Sequence, residues 1–233
     1  MANKTPFSAV LTHKMTARYH ENVFSGKRVS DESGLIDDCL KVGYLSDFSS
    51  PMSKTSVRVA KSDSIAVGEV EGSKWVRVQG KGNFMSSPRL KEYVEGCLES
   101  GTCEAVVVDL DTCPAMDSTF MGTLAGLAGR LMEREGRLAI VGLSDRNRDS
   151  LVDLGLDAIL EMENEDGASE WSNDLEAIRN GLKDWDGARD GAAAAEEVLE
   201  AHRKLCEVDD RNHKKFDAVL DVLEKEVSAR QAG

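Results

Sequence analysis

The chain has 233 residues and a formal net charge of -13, with 41% hydrophobic and 30% charged residues. That composition suits a compact domain with polar extensions. The acid excess excludes nucleic-acid binding, which needs clustered Lys and Arg, and docking on anionic membranes.

Residues 1–56 are weakly patterned. The stretches SGKRVSDESG and SDFSSPMSKTS are polar and rich in breakers, around a short apolar patch, so a flexible N-terminal arm is expected. The opening MANKTPFSAV holds no long apolar run, so neither a secretory leader nor a membrane span is expected. The five cysteines (Cys39, Cys97, Cys103, Cys113, Cys206) include no CxxC pair and are odd in number, which reads as reduced thiols in a cytoplasmic protein. The four histidines, His13, His20, His202 and His213, lack metal-ligand company and are expected in solvent. No metal and no cofactor is expected.

From Val57 the pattern sharpens. SIAVGEV and KWVRVQG flank the turn EGS and read as a β-hairpin. In SSPRLKEYVEGCLESG, Ser87 is the expected N-cap with Pro88 at the first helical position, and Leu90, Val94 and Leu98 recur at helical spacing before Gly101. EAVVVDLD is a continuous apolar run, the mark of a strand covered on both faces. TFMGTLAGLAGRLMERE follows as a helix that is apolar over much of its circumference. GRLAIVGL then reads as a buried strand, DRNRDSLVDLGL as a helix ended by Gly155, and DAILEM as a last short strand. This order predicts an α/β domain over residues 57–165, with a mixed, mostly parallel sheet, right-handed crossovers and packed helices.

Residues 166–233 form an acidic helical tail. EWSNDLEAIRNGLKDW predicts one amphipathic helix through Trp171, Leu175, Ile178, Leu182 and Trp185. After DGARDG, the remainder reads as two helices or one long one, with a stripe of Phe216, Val219, Leu220, Leu223 and Val227. That stripe either packs on the tail's partner helix or the domain, or serves docking and self-association.

The stretch PAMDSTFMGTLAG, Pro114–Gly126, carries the functional question. Between a strand and a helix, Ser118 or Thr119 is a natural N-cap, worth about 1 kcal/mol. The same place is a seat for a phosphate, because free N–H groups and the helix dipole favour an anion there. Asp117 would repel such a phosphate; it could instead orient the hydroxyl or hold a metal ion brought by a kinase. Behind the hydroxyls, Gly122, Ala125, Gly126 and Gly129 share one helix face. Each interior glycine costs about 0.8–1.0 kcal/mol relative to alanine. A closely packed sheet or a partner on a bare backbone would offset that cost.

VVVDLDTCPAMDSTFMGTLAGL resembles the signature of the STAS domain of bacterial anti-sigma factor antagonists, in which a buried strand leads into Asp-Ser-(Ser/Thr)-Gly-(Leu/Met)-Gly and a helix. The resemblance spans roughly Val57–Met162 and includes the VQGKGNF turn. It implies a STAS-like fold and a non-catalytic, phosphorylation-switched protein-binding module. Ser118 would be the phosphorylated residue, and Asn83, Asp117, Ser118, Thr119, Phe120, Met121 and Gly122 the partner-binding set. The implied partners are an anti-sigma factor serine/threonine kinase, sequestered while Ser118 is unphosphorylated, and a serine phosphatase. Two positions depart from the pattern: Phe120 stands where many antagonists have Gly, and Asn83 where they often have Asp.

Two rival readings remain. A STAS scaffold or transport-linked adaptor would need no phosphorylation. VVVDLDTC also looks like the first motif of haloacid-dehalogenase-type phosphatases, with Asp109 as nucleophile and Asp111 as general acid–base beside Mg²⁺. Such enzymes also need a later Lys and a paired-acid strand end, and no convincing equivalents follow LAIVGLSDRN, since Asp209-Asp210 fall inside the helical tail.

Overall fold

The computed structural model describes residues 64–231 apart from 102, 165–169, 172 and 188–190; the expected arm 1–56 and residues 57–63 of the expected domain lie outside the described residues. Strands β1 (Ser64–Val70) and β2 (Ser73–Gln79) form the expected antiparallel hairpin. Its turn residues Glu71 and Gly72 both take positive φ, 49° and 80°, which matches the twist of the flanking strands. Helix α1 (Ser87–Glu99), β3 (Ala105–Asp109), α2 (Ser118–Met132), β4 (Arg137–Val141), α3 (Asp145–Asp153) and β5 (Glu161–Met162) follow.

Two expectations shift at element ends. The residue before α1 is Ser86, so Pro88 falls one place further into the first turn. DAILEM is mostly not strand: Leu156–Ala158 form a 3₁₀ turn and only Glu161–Met162 pair with β4. Leu156, Ile159 and Leu160 all enter the core, which a helical turn permits and two-residue alternation does not.

The sheet order is β5-β4-β3-β2-β1-β6, where β6 is Lys183–Asp184, with β2 through β5 parallel. Each parallel strand is added on the same side of the last. Right-handed crossovers therefore place α1, α2 and α3 on one face, over Ile65, Val76, Val78, Val106, Val108, Leu138 and Ile140.

The opposite face is closed by the tail. Helix α4 (Leu175–Gly181) lays Ile178 on Trp75, Val107, Ala139 and Val141, and Trp171 meets Trp75 edge-on at 5.5 Å. The long amphipathic helix expected from Trp171 to Trp185 is thus cut short. Lys183–Asp184 instead form β6 on the free edge of β1, satisfying backbone groups there, and Trp185 packs edge-on against Tyr93.

Helices α5 (Ala195–Val208) and α6 (His213–Gln231) form a hairpin on the outer side of α2. Helix α2 is therefore a middle layer between sheet and α5, which accounts for its apolar circumference. In the α6 stripe Phe216 and Val227 are buried and Val219, Leu220 and Leu223 half-buried, so the stripe packs on the chain itself. The four described cysteines, Cys97, Cys103, Cys113 and Cys206, form no disulfide with one another. Among the described residues no helix is long and apolar enough to cross a membrane.

Candidate functional site

The strand-to-helix junction after β3 is capped by Asp117, not by Ser118 or Thr119 as the sequence suggests. Asp117 has extended backbone (φ -98°, ψ 171°), and its Oδ1 accepts from the Phe120 N–H at 2.8 Å. Its Oδ2 accepts from the Phe84 N–H at 3.0 Å, and the Asp117 N–H donates to the Gly82 carbonyl at 2.8 Å. The carboxylate is spent on backbone donors. Burial pushes its pKa above the ordinary aspartate value, against the pull of those same hydrogen bonds.

The Gly82–Phe84 turn therefore lies beside Met116–Asp117, and Asn83 sits close to Asp117 through its neighbours. The Asn83 side chain faces its own turn: Oδ1 accepts from the N–H groups of Met85 and Ser86 at 2.9 and 3.2 Å and so organises the start of α1. Phe120, the bulky departure, points inward and is fully buried. A Cβ on Gly82 would reach 2.8 Å from its ring, so the glycine of the GKGNF turn is what admits the phenylalanine. Met121 is likewise in the core.

Ser118 and Thr119 are the first residues of α2, 5% and 6% exposed. What covers Ser118 is His202 of α5, whose Nε2 lies 3.0 Å from Oγ. The His202 Nδ1 lies 2.8 Å from the Val198 carbonyl, which can only accept. Nδ1 therefore carries the proton, and Nε2 accepts from the Ser118 hydroxyl. His202 is 2% exposed, lies edge-on to Phe216 at 5.1 Å, and has its pKa lowered by burial, so it is held neutral. The expected solvent position fails for His202 and holds for His213, which is exposed.

The small-residue face of α2 has the same occupant. A Cβ on Gly122 would overlap the backbone carbonyl of Ala201, so α5 crosses α2 at a distance that only glycine allows there. Of the two neighbours expected to offset these glycines, sheet or partner, neither does so at Gly122. The chain's own tail does.

The rival acid pair lies on the other sheet face. Asp109 is fully buried, and Arg179 of α4 grips it with Nε to Oδ2 at 2.8 Å and a terminal nitrogen to Oδ1 at 2.9 Å. Arg77 bridges to Asp111 at 2.9 Å and approaches Asp109 at 3.5 Å. A carboxylate held in a bidentate guanidinium pair presents no free oxygen for nucleophilic attack. Among the described residues no group of His, Cys, Asp or Glu is placed to hold a metal ion.

Sequence reasoning grouped Asn83, Asp117, Ser118, Thr119, Phe120, Met121 and Gly122 by resemblance as one partner-binding set; in the structure Phe120 and Met121 lie fully buried in the core, and the other five lie near one another at this junction. That reasoning missed His202 and Arg179. His202 shares a helix face with Leu199, Leu205 and Cys206, so its place in an apolar stripe was the available signal.

Residues 64–167 match the family model of the STAS domain. Among solved structures the chain is similar to the anti-sigma factor antagonist SpoIIAA in its unphosphorylated form, at 16% identity and TM-score 0.39, over 49% of this chain and 97% of that one. It is similar to an anti-sigma factor antagonist from Mycobacterium paratuberculosis at 23% identity and TM-score 0.40, over 51% of this chain and 95% of that one. It is also similar to a sulfate transporter family protein from Wolinella succinogenes at 19% identity and TM-score 0.35, over 46% and 90% of the two chains. No curated protein sequence matches the chain.

Proposed function

The chain carries a STAS domain over residues 64–167, and we propose that this domain is a non-catalytic, phosphorylation-switched binding module of the anti-sigma factor antagonist kind. In this reading unphosphorylated Ser118 marks the centre of a surface that sequesters an anti-sigma serine/threonine kinase, and a serine phosphatase restores that form. The observation that supports it most is the Asp117-Ser118 junction: the acid caps α2, and the hydroxyl that follows stands at the positive end of the helix, beside the Asn83 turn. A phosphate there adds a charge of about -1.5 to -2 at the centre of any partner contact. A loss of about 3 kcal/mol in binding would already be more than a hundredfold in affinity.

The test is phosphopeptide mapping of the protein isolated from its own cells, with identification of the proteins that co-purify. Phosphate on Ser118 and a co-purifying kinase are expected, with Ser118→Ala retaining the kinase and Ser118→Asp losing it. Phosphate on Thr119 instead, or none, sinks the assignment.

A second reading is favoured by one observation. The Ser118–His202 hydrogen bond is buried and complete, as it would be if Ser118 served only to hold the tail of an unphosphorylated scaffold.

A further inference from the structure

We propose that the α5–α6 hairpin is a built-in competitor for the partner surface: it docks on Ser118 and Gly122 in a closed state, and only the open state is available to a kinase or to a binding partner. The inference rests on the preceding reading for the identity of that surface, but the competition itself is read from the tail's contacts.

Those contacts fall on both halves of the surface. On α2, His202 accepts from Ser118 at 3.0 Å, and the Ala201 backbone fills the notch at Gly122. At the Asn83 turn, the segment leading into α5 donates from the Ala193 N–H to the Phe84 carbonyl at 2.7 Å. Phe84 is the residue whose own N–H is held by Asp117. A kinase could not bring a phosphate to the Ser118 oxygen while an imidazole nitrogen lies against it. Nor could a second protein use Gly122 while Ala201 is there.

The hairpin is fastened to the domain through its buried face and through surface pairs. Leu205, Cys206, Val208 and Phe216 enter the core, so opening exposes them, and surface pairs add further ties. Lys91–Glu200 at 2.7 Å and Lys215–Asp153 at 2.7 Å are open to solvent and contribute little. Asn212, which donates to the Leu154 carbonyl at 3.0 Å, adds a buried polar tie. Helix α4 and β6 are held separately, by Arg179 and by the β1 edge, so the hairpin can leave without opening the second sheet face. Partner affinity then scales with the open fraction: a closed state favoured about a hundredfold lowers apparent affinity about a hundredfold.

The test uses the full chain and needs no partner. Ser118→Cys places a thiol under the hairpin, N-ethylmaleimide is the probe, and labelled peptides are mapped by mass spectrometry. The same variant unfolded in urea supplies the rate of that thiol without its cover. The introduced thiol is expected to label at least about tenfold more slowly in the folded chain than in the unfolded one, and amides of α5 to exchange at least about tenfold faster than those of β3, the mark of opening below the global level. Adding Gly122→Ala, or Ala201→Glu from the tail side, should speed labelling of the introduced thiol about tenfold or more. In both variants β3 protection should persist. The proposal falls if the Ser118→Cys thiol labels as fast in the folded chain as in the unfolded one with no second substitution present, if α5 exchanges only together with β3, or if both wedge variants fold and leave the rate unchanged. Absence of phosphate on Ser118 in cells, with the introduced thiol still shielded, would remove the kinase reading and leave the cover intact.

Discussion

Replacing Arg179 by Ala tests whether the tail belongs to the folding unit of the domain. Asp109 is fully buried, and both its oxygens are held by Arg179, at 2.8 and 2.9 Å. What remains after the change is the Asp111 N–H at 3.1 Å and Arg77 at 3.5 Å, the latter already committed to Asp111. Removing one partner of a buried pair costs about 3–5 kcal/mol because the other charge stays behind. The residual donors place Arg179→Ala near the lower end, about 3 kcal/mol. In a chain of this size each kcal/mol moves the melting temperature by about 2–4 °C, so a fall of about 6–12 °C is expected. Asp109→Asn in the Arg179→Ala background should recover part of the loss, since the stranded charge is gone, and the double-mutant cycle isolates the pair. Thermal and urea unfolding measure it. A loss below about 1 kcal/mol for Arg179→Ala would refute the reasoning, because α4 would then not be holding Asp109 in solution.

Gly142 has φ +69°, and a Cβ there would stand 2.6 Å from both Asp109 Oδ1 and the Asp111 nitrogen. Gly142→Ala should therefore cost more than the about 1–2 kcal/mol of backbone conformation alone, read as a lower urea midpoint at constant slope. Asp117→Ala removes the cap on Phe120 and the tie to Phe84 and should cost about 1–2 kcal/mol, with Asp117→Asn recovering only part of it in the same unfolding assay, because its amide keeps one acceptor and sets an NH2 against the other N–H. His202 faces Ser118 and Asp117 from α2, Phe216 from α6, and its own Val198 carbonyl, and its pKa is lowered by burial. Its contribution is therefore present above the ordinary imidazole value of about 6.5 and is lost as pH falls through the depressed one. Protection of α5 amides should hold above about pH 6.5 and drop as pH falls below it, and His202→Gln should flatten that dependence; a pH-independent α5 in the parent chain contradicts the burial.

Local periodicity and turn chemistry were enough to read the hairpin, the alternation of helix and parallel strand, and the junction at Asp117–Ser118 directly from the chain. Two further features were visible there although their cause lay elsewhere. The continuous apolar run of β3 required cover on both faces, and the apolar circumference of α2 required a layer outside it. Neither demand names its partner. With the parallel strands added in order to one side, the right-handed crossovers can cover only one face of the sheet, so the other cover had to come from more distant sequence. It took the packed molecule to show that α4 closes the back of the sheet through Ile178 and Arg179, and that α5 lies over α2 with His202 on Ser118. These pairings join residues far apart in the chain, 70 positions for Asp109–Arg179 and 84 for Ser118–His202. Local spacing records which face of a helix is apolar. What that face meets depends on the packing of the whole chain.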